Sequence, residues 1–305
     1  MTAATSTNSP PEALEIERRR HPWQLVAAAL VILVLALLVR SLLLNDNLQW
    51  PTVGKYLFNR HVLDGVGVTL LLTVICQSLA IIGGVIVAVM RLSANRLLRV
   101  VASGYLWFFR GTPLLVQLVF WYNFAALFPV IFLGVPYTGL GHAYSTNALI
   151  SGFTAAILGF SLHEGAYMAE IVRAGILSVG TGQREAALST GMTEMRAMRR
   201  IILPQAMRVI IPPTGNQAIN LLKATALVAF ISGGDLLSNV KDIYAVNFAV
   251  IPLLVVASLW YLAMVSVASV GQHFLEKKVG KGVTRFGNGQ QRRVADVDRL
   301  ASSET

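Results

Sequence analysis

Three polar side chains, Asn216, Asn220 and Lys223, follow one another at intervals of four and three residues in a largely apolar part of the sequence. Residues at these intervals lie on one face of an α-helix, so the spacing predicts a polar stripe. A lysine at the centre of a membrane-spanning helix costs roughly 2.5–3.5 kcal/mol on insertion. We therefore expect the stripe to face a helix bundle or a water-filled path, with Lys223 placed to bind the carboxylate of a passing solute.

Glu164 and Glu170 are the acidic residues available to such a path. They lie six residues apart in another apolar run, so their side chains point in different directions. Glu164 lies deeper and is the better candidate partner for Lys223, whereas Glu170 is placed to pair with Arg173 three residues later. Two hypotheses stay open for Lys223: contact with a solute carboxylate, or pairing with an internal acid.

Gln117 and Thr225 are two more polar residues expected along the path. Gln117 lies four residues beyond Pro113, a residue that suits the first turn of a helix. A place on the path and a packing role explain Gln117 equally well. Thr225 follows Lys223 by two residues in the same apolar run.

The sequence lacks the patterns that indicate catalysis at a bound metal or nucleotide. A single cysteine, Cys76, excludes an intramolecular disulfide. The histidines lack the HExxH spacing of a zinc site, and no G-x-x-x-x-G-K-[ST] loop is present to hold phosphates. We therefore expect no catalytic residue, no metal and no cofactor to belong to this chain.

The composition indicates an integral membrane protein. Of the 305 residues, 55% are hydrophobic and 13% are charged, and the mean hydropathy is +0.62, whereas soluble proteins carry about 25% charged residues. Six apolar runs can each cross about 30 Å of hydrocarbon at about 1.5 Å per residue. They cover residues 23–44, 65–90, 100–128, 148–172, 213–232 and 248–274. The sequence thus predicts an all-α integral membrane protein with six transmembrane helices.

The distribution of positive charge predicts the orientation in the membrane. Twenty of the 25 Lys and Arg residues fall in segments that share the side of the N-terminus, which places both termini in the cytoplasm. The net charge of +10 therefore reflects topology and does not indicate a nucleic acid partner. Residues 1–22 are expected to form a disordered cytoplasmic tail, and residues 276–305 a flexible basic tail near anionic lipid.

A polar segment, REAALSTGMTEMRAMRRIILPQ (184–205), lies in the longest predicted cytoplasmic loop, residues 173–212. Its start carries a carboxylate and small residues that let another surface approach closely, and its end carries prolines. These residues are Glu185, Ala186, Ala187, Gly191, Pro204, Pro212 and Pro213. The prolines predict a helix, a break and a second short helix. Docking of a partner and simple anchoring of the loop explain the segment equally well.

The spacing of Glu185-Ala186-Ala187, Gly191, Leu203 and Pro204 resembles the EAA loop of ABC importer permeases. Further segments resemble, in the same order along the chain, the signatures of the polar amino acid permease subfamily. They are FFRGTPLLVQLVFWYN (108–123), SLHEGAYMAEIVRAGI (161–176), GQREAAL (182–188), ILPQAMRVIIPPTGNQAINLLK (202–223) and DIYAVNF (242–248). The resemblance covers about residues 64–275.

The resemblance implies a five-helix permease core over residues 64–275, preceded by an extra transmembrane helix at 23–44, in the cytoplasmic membrane of a prokaryote. It implies import of polar amino acids such as histidine, arginine, glutamate and glutamine. The implied partners are ATPase subunits that bind ATP and magnesium, a second permease copy or a sister permease, and an extracytoplasmic binding protein. In this family the loop docks on the ATPase as a coupling helix, so the implied coupling residues are Glu185, Ala186, Ala187, Gly191, Leu203 and Pro204.

The chain departs from the family pattern in two places. No proline precedes the Gly182-Gln183 pair, and the sequence KATAL (223–227) stands where the family often has Lys-Asp-Thr-Ser-Leu. A carboxylate and a hydroxyl are therefore missing beside Lys223. Two other classes of protein compete with the importer. A secondary transporter would explain the intramembrane charge but not the loop, and an anchor protein without transport would leave the polar stripe unexplained.

Overall fold

A computed structural model describes residues 22–134 and 141–280, in a chain that divides into two units, Met1–Gln49 and Trp50–Thr305. In the first unit, helix α1 spans Pro22–Leu43 and a 3-10 turn follows at Asp46–Leu48. The stretch Val26–Leu43 has a mean hydropathy of 2.8 and is exposed along its length. Helix α1 therefore coincides with the first predicted span, residues 23–44.

The second unit is a helical bundle with one small β-hairpin. Its helices are α2 (Trp50–Leu57), α3 (Arg60–Leu92), α4 (Arg96–Gly111), α5 (Leu114–Tyr122), α6 (Thr146–Leu149), α7 (Gly152–Leu177), α8 (Thr181–Ser189), α9 (Glu194–Ala197), α10 (Leu203–Ala224), α11 (Leu236–Asn247) and α12 (Val250–Gly280). A π-helical turn at Met198–Ile202 joins α9 to α10, and 3-10 turns lie at Phe124–Ala126 and Thr225–Phe230.

Within residues 22–134 and 141–280, three helices are long and apolar enough to cross a membrane: α1, α3 and α12. The predicted runs at 65–90 and 248–274 lie inside α3 and α12. The run at 148–172 lies mostly in α7, whose 26 residues extend about 39 Å at about 1.5 Å per residue. Helix α7 is long enough to span but carries charged side chains, so the count of six spans stays a prediction.

A single continuous helix over the predicted run 100–128 is wrong, because the chain breaks between α4 and α5. Thr112 has an extended backbone, with φ −106° and ψ 142°, and the next residue is Pro113. A proline disfavours helix in the residue before it. The Thr112 hydroxyl donates to the Phe108 carbonyl at 2.8 Å and helps to close α4. Helix α5 is consequently only nine residues long, about 14 Å.

The predicted helical fold is confirmed in the main, with one small β-hairpin after α5 as an exception. Strand β1 (Val130–Gly134) pairs antiparallel with strand β2 (Gly141–Ser145), and Ile131 lies opposite Tyr144. The first strand is rich in β-branched and aromatic residues, which favour strands. A short apolar run of this kind cannot be told from the end of a helix by periodicity alone.

The predicted break at the prolines of the loop is wrong, because α10 runs through them. Pro204 lies in the first turn of α10, where its missing N–H leaves no bond unmade. Pro212 and Pro213 lie inside the helix and remove the usual donors to the carbonyls of Arg208 and Val209. The break falls earlier, between α8 and α9. The predicted span at 213–232 therefore begins ten residues inside a longer helix.

Helices α3 and α7 pack against each other along most of their length. A Cβ atom built on Gly84 of α3 would lie 3.0 Å from the Ala169 backbone nitrogen of α7 and would also meet Met168. Small residues of this kind let two helices approach closely in a membrane protein. Buried side chains on either side of this contact include Leu72, Cys76, Ala80, Ala88, Phe160 and Met168.

The start of α11 is fixed inside the bundle by a buried capping residue. The Asp235 carboxylate accepts hydrogen bonds from the backbone N–H groups of Leu237 at 3.0 Å and Ser238 at 3.1 Å. The Leu236 N–H donates to the Thr69 hydroxyl of α3 at 3.1 Å. These bonds satisfy helix-terminal donors that would otherwise be buried without partners, and they attach α11 to α3.

The predicted tails fall largely outside the described residues. Residues 1–21 and 281–305 belong to the parts of the chain that the structure does not describe. At the C-terminal side, α12 continues to Gly280, so residues 276–280 of the predicted flexible tail are helical.

Replacing Gly84 with alanine is expected to lower thermal stability, because the added methyl group must push α3 and α7 apart. Overpacking of a core costs about 1–3 kcal/mol. The thermal unfolding midpoint of the purified protein in detergent measures the effect. Gly83→Ala is the matched control, since a Cβ at Gly83 meets nothing within 4 Å, and it should be at least as stable as the wild type. Equal midpoints for the two variants would contradict the close contact of α3 and α7.

Candidate functional site

Helix α8 carries the loop residues singled out in the sequence, and it ends in a glycine-dependent cap. Gly191 has a φ of +82°, in the left-handed region that glycine adopts readily. The Met192 N–H donates to the Ala187 carbonyl at 3.2 Å, and the Gly191 N–H donates to the Leu188 carbonyl at 2.9 Å. This pair of bonds defines a Schellman motif. Gly191 therefore ends α8 and turns the chain toward α9.

Glu185 and Ala186 lie on the exposed surface of α8. Both residues are exposed, whereas Ala187 is 7% exposed and packs inside the chain. Glu185 lies beyond the first turn of α8, which starts at Thr181, so its carboxylate gains little from the helix dipole. Within the described ranges, 22–134 and 141–280, no ion pair involves Glu185. Its carboxylate is thus available to a partner, and Ala187 supports the surface from inside.

A salt bridge and a continuous helical backbone connect α8 to α10. The Arg184 guanidinium donates two hydrogen bonds to the Glu194 carboxylate, the one from Nε at 3.0 Å. From Glu194 the chain stays helical through the π-helical turn, where the Leu203 N–H donates to the Met198 carbonyl. Helix α8 is therefore tied to α9 by a salt bridge, and the backbone from Glu194 to α10 is helical throughout.

The remaining predicted coupling residues and a group of arginines lie along this connection. Leu203 is 40% exposed and Pro204 is exposed at the start of α10. Three exposed arginines surround a shallow depression of about 270 Å³ together with Thr193 and Met195; they are Arg196, Arg199 and Arg200. The outer surface of the α9–α10 connection is therefore positively charged.

The polar stripe of α10 lies on one helix face, and that face points away from the chain's own bundle. Asn216, Asn220 and Lys223 are all exposed. In the described part of the chain, no acidic residue pairs with Lys223, and the predicted pairing with Glu164 is wrong. Glu164 instead accepts a hydrogen bond from Gln217. One residue turns an α-helix by about 100°, so Gln217 points inward where Asn216 and Lys223 point outward.

Glu164 is the centre of an inward-facing polar contact between α7 and α10. It is 4% exposed, and Gln217 Nε2 donates to its carboxylate. One turn along α7, the Met168 sulfur accepts a hydrogen bond from Gln77 Nε2 of α3 at 3.7 Å. Among the described residues, Gln77 Oε1 is buried and has no hydrogen-bond partner. The interior of the bundle thus offers a carboxylate and an amide oxygen to a polar group.

Gln77 and Gln217 were not singled out from the sequence. Gln77 follows Thr69 and Thr73 at intervals of four residues, and all three are buried on one face of α3. This spacing was a signal for a polar face inside the bundle. The sequence does not distinguish Gln217 from the adjacent Asn216. Which of the two side chains faces the bundle depends on how α10 is rotated against α7.

Glu170, Gln117 and Thr225, three further residues predicted for the path, form hydrogen bonds or ion pairs within the chain. The predicted pair of Glu170 and Arg173 is confirmed, with Arg173 Nη2 2.9 Å from the Glu170 carboxylate. Gln117 is buried and donates from Nε2 to the Phe109 carbonyl at 3.1 Å and the Thr112 hydroxyl at 2.7 Å, so it braces the break between α4 and α5. Thr225 is buried and donates to the Leu222 carbonyl at 2.7 Å.

Residues 80–281 match the protein family described as "binding-protein-dependent transport system inner membrane component". The chain is 43% identical over 281 residues to the arginine transport system permease protein ArgU of Corynebacterium glutamicum, covering 92% of this chain and 87% of that protein. It is 36% identical over 247 residues to the L-cystine transport system permease protein TcyB of Bacillus subtilis, covering 80% of this chain and 97% of that protein.

Solved structures with a similar fold include a crystal structure of an amino acid ABC transporter with histidines. The TM-score is 0.62 at 33% sequence identity, with 72% of this chain and 95% of that chain covered. The fold is also similar to that of the MetNI methionine ABC transporter in an inward-facing conformation. There the TM-score is 0.53 at 20% identity, with 74% of this chain and 97% of that chain covered.

Changing Gly191 to alanine is expected to loosen the end of α8, because a side chain is strained at a φ of +82°. Left-handed backbone costs a non-glycine residue roughly 1–2 kcal/mol, so the Met192 amide should exchange with deuterium roughly tenfold faster. Mass-spectrometric exchange of a peptide covering this turn measures the change. Gly182→Ala is the control within α8, where a Cβ meets nothing within 4 Å, and it should slow exchange. Unchanged exchange in Gly191→Ala would show that the cap does not need glycine.

Proposed function

We propose, on the premise that this chain belongs to the family of binding-protein-dependent transport system inner membrane components, that α8 receives movement from an ATPase and α10 passes it to an amino acid path. The chain is the permease subunit of an amino acid ABC importer, as its relatives and structural neighbours are. The observation that carries the proposal is the unbroken helical backbone from Glu194 to Ala224.

The coupling role of α8 is supported by what its surface offers. Glu185 and Ala186 are exposed side by side, one with an unpaired carboxylate and one with a small side chain. A small residue admits close approach, and the carboxylate can pair with a basic group on the docked subunit. Gly191, Leu203 and Pro204 then direct the force into α10. Since the family's permeases work with ATPase and substrate-binding partners, ATP and magnesium belong to the ATPase.

The path is proposed to lie along the outward face of α10. Lys223 on a lipid-facing surface would cost roughly 2.5–3.5 kcal/mol at mid-membrane, and Asn216 and Asn220 would leave further polar groups without partners. A second permease copy, or a sister permease, facing this surface across a polar path removes that cost. Lys223 is then placed to attract the carboxylate that every amino acid carries. On the inward side of α10, the bond from Gln217 to Glu164 of α7 couples the path to α7.

The assembly proposed around this chain follows from the charge distribution. The core of residues 64–275 and the extra helix at 23–44 give six spans in the cytoplasmic membrane of a prokaryote. The excess of Lys and Arg in the loop 173–212 and in both terminal segments supports cytoplasmic termini. Each of two ATPase subunits then contacts the α8 of one permease on the cytoplasmic side. An extracytoplasmic binding protein delivers the amino acid to the opposite side of the membrane.

Arginine is the first polar amino acid to test as substrate. A relative that is 43% identical over 92% of this chain is named for arginine transport. The ammonium of Lys223, on the outward face of α10, offers a charge complementary to the carboxylate of arginine. Glutamine and cystine, named in other relatives, are the comparison substrates.

Glu185→Lys is expected to abolish uptake without removing the protein from the membrane, because the reversed charge repels the basic group on the ATPase. Copurification of the ATPase subunit and ATP-driven arginine uptake in proteoliposomes measure the loss. Gln183→Lys is the control, since it places a positive charge on the opposite side of α8, two residues or about 200° away. Normal uptake by Glu185→Lys would rule out coupling through this surface, and uptake without the ATPase would favour a secondary transporter.

Lys223→Glu is expected to reduce arginine uptake by roughly tenfold or more, because a carboxylate facing the substrate carboxylate is repelled and like charges in contact cost several kcal/mol. Initial uptake rates in proteoliposomes that contain the full transporter measure the effect. Lys241→Glu makes the same charge change on α11, outside the stripe, and should retain most of the rate. A Lys223→Glu transporter that assembles and transports at the wild-type rate would remove Lys223 from the path.

A further inference from the structure

The two consecutive prolines of α10 lie between the coupling loop and the polar stripe. Interior prolines remove backbone donors and are the usual places where a helix bends. Because Pro212 and Pro213 have no N–H group, the carbonyls of Arg208 and Val209 lack their usual helical donors, and the Thr214 hydroxyl donates to the neighbouring Ile210 carbonyl at 2.8 Å. A force applied to α10 at Leu203 must be transmitted through the Pro212-Pro213 segment, which lacks two backbone hydrogen bonds, before it reaches Asn216.

Gln272 of α12 contacts α10 at this step. Its side chain is 8% exposed. The Nε2 atom donates to the Pro212 carbonyl at 2.9 Å and to the Glu276 carboxylate at 2.8 Å. The two bonds use both hydrogens of the amide nitrogen, so the Gln272 side chain is fixed in one orientation between α12 and the prolines.

Gly215 makes room for this contact. A Cβ built on Gly215 would overlap the Gln272 side-chain amide and would lie 2.7 Å from Nε2. The obstructing atoms are the far end of a flexible side chain, so an alanine at 215 would displace the Gln272 amide and leave both helix backbones in place. The absence of a side chain at Gly215 therefore leaves space on α10 that the side-chain amide of Gln272 from α12 fills.

We propose that Gln272 is a positioning residue for coupling, which holds the Pro212-Pro213 step of α10 against α12 so that force from the loop turns the polar stripe and is not absorbed by bending at the prolines. The inference rests on the proposed function, since it assumes that force enters at α8. This proposal gives α12 a role in transmitting force from the loop to the polar stripe, in addition to spanning the membrane.

The ratio of arginine imported to ATP hydrolysed tests this role, in the complete transporter with its ATPase and binding protein in proteoliposomes. Gln272→Met keeps the side-chain length and removes the donor, and Gly215→Ala displaces the amide. Each should lower the ratio about fivefold, the effect of losing one neutral hydrogen bond, with ATP hydrolysis largely retained. The double variant should match Gln272→Met alone, because no bond remains to be lost. Gly271→Ala, where a Cβ meets nothing within 4 Å, should keep the wild-type ratio.

Each other outcome overturns the inference. An unchanged ratio shows that the step needs no clamp. Uptake and hydrolysis that fall together, or variants that do not assemble, show that Gln272 only holds the fold. Losses that multiply in the double variant show that Gly215 and Gln272 act separately. A wild-type transporter without ATP-driven uptake would instead overturn the proposed function, so the two failures are distinguishable.

Discussion

The continuous helical backbone from Glu194 to Ala224 is the constraint on which the site depends. In a membrane, a helix interrupted by proline must have its freed carbonyls satisfied or shielded. Here Pro204 lies where no donor is needed and a π-helical turn precedes it, while Pro212 and Pro213 lie where Gln272 of α12 contacts the Pro212 carbonyl. Because the run does not break, the surface of the loop and the polar stripe belong to one mechanical element.

The rest of the second unit supplies a frame for this element. Helices α3 and α7 approach closely at Gly84, and close approach without a hydrophobic driving force depends on van der Waals contact. Asp235 caps α11 within the bundle and Thr69 attaches it to α3. Asp235 and Thr69 in the frame are therefore bonded to backbone N–H groups, whereas the polar side chains on the outer face of α10 are exposed. The buried polar side chains therefore stabilise the fold, whereas the exposed polar side chains of α10 are accessible to a solute.

Much of the fold was predictable where a pattern is long. The runs at 65–90 and 248–274 lie inside α3 and α12, and the pairing of Glu170 with Arg173 follows from a spacing of three within one helix. The errors arose where a local signal competes with its surroundings. Proline predicted a break in α10, yet the helix continues through Pro212 and Pro213, whereas the same residue type coincides with a real break at Thr112-Pro113. The hairpin of Val130–Gly134 with Gly141–Ser145 lies between the predicted runs 100–128 and 148–172, and its short apolar first strand does not by itself distinguish strand from helix.

The site was predictable in its surface residues and not in its interior pairs, and geometry explains the difference. A spacing of three or four fixes which residues share a face, so Asn216, Asn220 and Lys223 were grouped correctly, but it does not fix which way that face points. Rotation of α10 about its axis placed Gln217 against Glu164 and turned Lys223 outward. The 22 residues of α10 extend about 33 Å, and Lys223 lies about 30 Å from Leu203 along its axis. A helix of that length that is held stiff at its prolines carries a rotation of the loop to the stripe undiminished, whereas a bend at Pro212-Pro213 would leave the stripe where it was. How far the exposed polar face responds to an ATPase is therefore decided at the point where α12 touches α10.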